Sequence, residues 1–184
     1  MNGAILLIAA AGLVAFGTIR QGERLGGIGD TTTNRGQRVN LKYFSPDEFR
    51  QWWGQMNPEL LQKLDAFRER WGAPVRISPA SGALGRHDGI TGTSQHNVDA
   101  WGEVRAVDVF PMVPAGRGGD AYISSRADRE RVSQTARAVG FTGIGLYTDT
   151  SPGDMLHVDV RPQTNVATWS RIDGSYMDIG QAIA

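Results

Sequence analysis

The 184-residue chain contains no cysteine. That excludes a disulfide scaffold, a thiol nucleophile and any zinc site built on cysteine. It also lacks an excess of charge of either sign, with 19 Lys and Arg against 19 Asp and Glu. Nucleic-acid proteins usually carry a basic surplus, so no nucleic-acid partner is expected. Histidine is scarce: the three present, with carboxylates, are the available ligands for any transition metal. Long apolar runs are missing beyond the first twenty residues, which excludes a multi-span membrane protein. What is present, 40% apolar and 21% charged residues with 24 glycines, fits a folded domain rich in loops.

The chain divides by composition into three parts. Residues 1–20 carry no charge before Arg20, and the run from Ala4 to Phe16 is almost wholly apolar. A helix of that length just spans a bilayer core, so a transmembrane anchor is expected, with a cleaved signal segment as the alternative. Residues 21–40 are rich in Gly, Thr and Arg and read as a flexible linker. Residues 41–184 form the globular domain.

Within that domain Ser45-Pro46-Asp47-Glu48 has capping-box spacing and should open a helix reaching about Trp53. Asn57-Pro58 opens the next. There Leu60, Leu64, Phe67 and Trp71 form one helical stripe, which Gly72 and Pro74 end. Val75 to Ile77 and Val104 to Phe110 read as strands separated by a polar loop. Ser125 caps a helix with Val132, Ala136 and Val139 on one face. Ile144 to Tyr147 and Met155 to Val160 read as two more strands joined by an Asp149-to-Gly153 turn. The order predicts an α+β fold: a small antiparallel sheet with helices packed on one side, preceded by the transmembrane helix. Trp169 and Ile172 are expected to pack back on the core.

Polar groups interrupt two of these strands. Asp108 lies within Arg105-Ala106-Val107-Asp108-Val109-Phe110, and His157 and Asp159 lie within Met155-Leu156-His157-Val158-Asp159-Val160. Residues two apart on a strand share a face, so His157 and Asp159 project together. A carboxylate in an apolar strand is costly unless it is paired or holds a metal. His96, in the Gly- and Ser-rich loop before the first of these strands, completes a His2Asp set suited to catalytic zinc. An ordinary buried Asp108–His157 pair, with His96 on the surface, is the competing reading.

Ser94-Gln95-His96, Ala106-Val107-Asp108 and His157-Val158-Asp159-Val160 resemble motifs of the zinc peptidases of the D-alanyl-D-alanine carboxypeptidase and L-alanyl-D-glutamate endopeptidase family. The resemblance covers roughly Phe44 to Arg161. It implies Zn2+ held by His96, Asp108 and His157 on an antiparallel sheet. It also implies metal-assisted hydrolysis of peptide bonds in bacterial peptidoglycan. The family's catalytic glutamate falls at Asp154, one methylene shorter. Asp159 is a rival base or the partner that orients His157. Arg86 corresponds to an arginine that holds a substrate carboxylate, and Ser94 to a group beside the metal. His96 and Asp108 stand farther apart than the resemblance implies, so residues 97–105 are expected to carry about five extra residues that reshape the cleft rim. Tyr147 is expected beside the site. The implied partners are peptidoglycan peptides and, through the N-terminal helix, a membrane. The implied setting is a bacterial envelope or a phage virion, with secretion as the alternative. A non-catalytic, metal-containing cell-wall binding module and a membrane-anchored structural virion protein are the rival functions.

Overall fold

A computed structural model describes residues 31–32, 38–116 and 118–184 of the chain. The expected membrane anchor, residues 1–20, lies outside the described residues. Among those described, no helix is long and apolar enough to cross a membrane. The expected linker is described in part: β1 (Thr31–Thr32) pairs antiparallel with β2 (Arg38–Val39), and Val39 is buried in the core.

The short helix expected after Ser45 forms as a 3-10 segment, Pro46–Gln55. Its capping box forms, with the Ser45 backbone N–H donating to Glu48 Oε1 at 2.9 Å. Arg50 takes a left-handed conformation (φ 54°) that breaks the helical run, and its guanidinium donates to the Ser78 carbonyl at 2.9 Å. Helix α1 (Pro58–Trp71) is capped as its sequence predicts. Asn57 Oδ1 accepts from Leu60 N–H at 3.1 Å, and Gly72 supplies the left-handed C-cap (φ 76°). Its stripe of Leu60, Leu61, Leu64, Phe67 and Trp71 is wholly buried. Each such side chain contributes about 1.5–3 kcal/mol of transfer free energy.

Then come β3 (Val75–Ile77), a single-turn α2 (Val98–Trp101), β4 (Ala106–Ala115) and β5 (Gly119–Tyr122). They are followed by α3 (Arg126–Val139), β6 (Gly143–Tyr147), β7 (Met155–Asp159), β8 (Ala167–Ile172), β9 (Ser175–Met177) and α4 (Gly180–Ile183). The main sheet runs β3-β4-β7-β6-β8-β9, with β5 paired to the far end of β4. The fold is α+β as expected, but the sheet is mixed rather than antiparallel. After the β6–β7 hairpin the chain crosses back, and β8 lies parallel to β6 on its free edge.

The two faces of the sheet differ. Val107, Val109, Ile144, Leu146, Leu156 and Val158 point to the helical side and join the core built by α1, α3 and α4. Strand alternation sends Asp108, His157, Asp159 and Trp169 to the other side. The register places Asp108, His157, Gly145 and Trp169 in one row across β4, β7, β6 and β8. That row carries the site.

Candidate metal centre

Three side chains converge at the middle of the row. His96 Nε2 lies 3.2 Å from His157 Nδ1 and 3.5 Å from Asp108 Oδ1, and His157 Nδ1 lies 2.9 Å from Asp108 Oδ1. Four donors bound tetrahedrally to zinc at about 2.0–2.1 Å stand about 3.3 Å from one another, so this triangle has the size of one face of such a shell. His96, Asp108 and His157 form a group that could hold a metal ion, as expected.

The hydrogen bonds behind the imidazoles decide which nitrogens are free. His96 Nδ1 meets the Leu84 carbonyl at 2.5 Å, and a carbonyl only accepts; Nδ1 therefore carries the proton and Nε2 presents a lone pair. His157 Nε2 meets Asp159 Oδ2 at 3.0 Å, so Nε2–H donates there and Nδ1 faces the triangle. His96 Nε2, His157 Nδ1 and Asp108 Oδ1 thus point at one spot, where in the absence of a metal a proton on His157 Nδ1 bridges to Asp108. Such a cluster of acceptors needs a cation or a shared proton between them, and this chemistry fits a metal.

The loop that carries Leu84 is tied to the sheet. Asp108 N–H donates to the Ala83 carbonyl at 2.9 Å, and Arg86 N–H donates to the His96 carbonyl at 3.0 Å. Asp159 is fully buried and would be costly if unpaired. Arg161 holds it, with Nε at 2.9 Å, Nη2 at 2.5 Å and its backbone N–H at 3.1 Å. Burial disfavours the Asp159 charge, but Arg161 and His157 outweigh that and hold its carboxyl far below the usual range. Asp108 behaves alike, with burial opposed by its two histidines. Without a metal, burial works against a charged His157. Its hydrogen bonds to Asp108 and Asp159 prevail and push it up to about 9.

The triad lines a cleft of about 420 Å³ together with Arg86, Ser94, Tyr147, Trp169, Arg171 and Tyr176, among others. Arg86 and Ser94 thus stand in the same cleft as the triad. Ser94 Oγ accepts from the His96 N–H at 3.2 Å, and Arg86 is paired with Asp88 at 2.5 Å. Tyr147 packs beside the site as expected, and burial leads the causes that keep its hydroxyl protonated well above the usual range. Residues 97–105, where extra residues were expected to reshape the rim, do not line the cleft. Part of this segment forms α2, where Trp101 Nε1 donates to the Ser94 carbonyl at 2.8 Å.

Asp154 is not with the triad. It stands just before β7 at the opposite parity to His157, and Arg129 of α3 grips it at 2.9 Å on the helical side. Burial raises its carboxyl and Arg129 opposes that. Asp159, on the same sheet face as His157, is buried behind it and does not line the cleft. Neither expected base reaches the open side of the triad. Asp108 is the one carboxylate among the described residues lining the cleft.

Sequence reasoning did not place Arg161, Arg171 or Tyr176, which line the cleft, and placed Trp169 only on the core. Trp169 packs, as expected, on buried apolar side chains, the smaller cluster of Phe110, Tyr147 and Met155 on the cleft face, and there it also reaches the site: its ring stands 5.1 Å from the His157 ring, and its Nε1–H donates to the Tyr147 hydroxyl at 3.1 Å. Gly145 makes this possible, since a Cβ there would sit 2.5 Å from the indole. Tyr176 stands edge-on to Tyr147 and remains 66% exposed. Arg161 continues the His157, Asp159 alternation by two more residues, and that spacing was a readable signal. The chain matches no protein-family model, and neither characterised proteins nor solved structures match it.

Proposed function

We propose that the protein hydrolyses peptide bonds in bacterial peptidoglycan, as a carboxypeptidase or endopeptidase, with a zinc ion held by His96, Asp108 and His157. The observation that carries the reading is the convergence of two imidazoles, each held from behind by a hydrogen bond, and one carboxylate in an open cleft. The motif resemblance supplies the substrate class. A zinc ion bound there would supply Lewis-acid polarisation of a carbonyl and activation of water for attack. The Leu84 carbonyl and Asp159 keep the two imidazoles oriented. Arg161 keeps Asp159 ionised. Trp169 and Tyr147 wall one side of the cleft against water, and the protonated Tyr147 hydroxyl is a donor on that wall. Residues 1–20 would anchor the domain at a bacterial envelope or in a phage virion.

A specific observation favours a second reading, a metal-containing cell-wall binding module. Both carboxylates expected as base, Asp154 and Asp159, are engaged away from the cleft. One experiment separates the two. The full chain, loaded with zinc, is incubated with peptidoglycan sacculi and defined muropeptides, with and without chelator. New amine termini that vanish with chelator support the peptidase. Zinc-dependent binding without cleavage supports the module, and the absence of both removes the cell-wall reading.

A further inference from the structure

Gln95 lies between Ser94 and the metal-holding His96, lines the same cleft and is 8% exposed. Its Nε2 donates to the Thr93 carbonyl at 3.4 Å, which assigns the amide orientation and leaves Oε1 as an acceptor. Oε1 is buried without a hydrogen-bond partner in the protein, the one such side-chain atom among the described residues. Folded proteins seldom leave a buried acceptor unmatched, and one beside a cleft calls for a donor. The surrounding backbone is fixed and does not supply it. The Gln95 carbonyl accepts from Arg105 N–H at 2.9 Å, and Ser94 is held by His96 and Trp101. The contact from Nε2 is at the long limit for a hydrogen bond, so the amide is held weakly and can turn as a ligand arrives.

We infer that Gln95 is a substrate-binding residue whose Oε1 accepts a hydrogen bond from a backbone N–H of a peptide seated in the cleft. A backbone N–H is the donor that a peptide presents along its whole length, and the arginines that line the cleft, Arg86, Arg161 and Arg171, are each already paired with a carboxylate. This inference rests on the peptide reading of the cleft.

The test uses the full zinc-loaded chain, a synthetic peptidoglycan stem pentapeptide and a series in which each amide N–H is replaced by an ester oxygen. Gln95→Met removes the unmatched acceptor while keeping the volume. It should leave the ligand-free thermal midpoint unchanged or higher and keep zinc equimolar. It should weaken peptide binding about tenfold, in KM rather than kcat. One ester position should cost the wild-type protein about tenfold and cost the variant nothing, the mark of a direct contact. Equal peptide affinity in wild type and Gln95→Met overturns the inference alone. So does an ester series in which no single replacement weakens wild-type binding, a test that needs no variant to fold. Wild-type protein that neither binds nor cleaves any stem peptide overturns the peptide reading and the inference together.

Discussion

The two faces of one sheet, built from alternate residues of the same strands, do opposite work. On the helical face Val107, Val109, Ile144, Leu146, Leu156 and Val158 are fully buried against α1 and α3. On the cleft face, one residue along each strand, stand Asp108, His157, Asp159 and Trp169. The first face is apolar and supplies stability. The second gathers charge and polar groups that only mutual pairing makes tolerable. A strand lets both exist in five residues because neighbours point apart. The lesson is that the site is carried by the core without being part of it, so damage to one face should be separable from damage to the other.

The strongest way to break that separation is Leu156→Ala. It should cost about 2–5 kcal/mol in chemical denaturation through the cavity it leaves. Metal should then be lost only as the fold is lost. Next is Asp159→Asn, on the opposite face. It should weaken zinc affinity about 10- to 100-fold in a competition titration, because His157 loses the charge that orients it. Unchanged affinity would mean that Asp159 serves packing alone.

A smaller effect sharpens the comparison through pH. His157 is raised from 6.5 to about 9 in the metal-free protein, with burial opposing and Asp108 and Asp159 prevailing. A raised folded value stabilises the fold fully below about 6.5, and that contribution fades as pH rises through about 9. Denaturation in chelator across this window should show the decline in wild type and a weaker one in Asp159→Asn. The smallest effect on the site belongs to Asp154→Asn. It should cost about 1–3 kcal/mol of stability through the buried Arg129 pair, yet leave zinc content and any cleavage unchanged. A collapse of cleavage would return Asp154 to the role of base.

The sequence carried the part of the site that local rules govern. Period-two alternation put His157 and Asp159 together, and an acid in an apolar strand marked Asp108. The same alternation argues against Asp154, three residues from His157, once β7 is taken as a regular strand. Asp173-Gly174 is a two-residue hairpin signal, and both residues do adopt positive φ (49° and 78°) between β8 and β9. Reading it would have revealed the hairpin bearing Trp169 and Tyr176. What no local pattern carries is the parallel pairing of β8 with β6, which depends on a long-range choice of sheet edge. The Leu84 carbonyl that fixes His96 is equally hidden, since a backbone oxygen has no residue signature.

The central claim is that His96, Asp108 and His157 close around one metal ion. X-ray absorption on the zinc-loaded full chain tests it most directly. The account predicts one zinc per chain, with two imidazole nitrogens and oxygen donors at about 2.0–2.1 Å, and loss of that ion in Asp108→Ala. Substoichiometric zinc in the wild type, or an equimolar ion retained unchanged in Asp108→Ala, would contradict it.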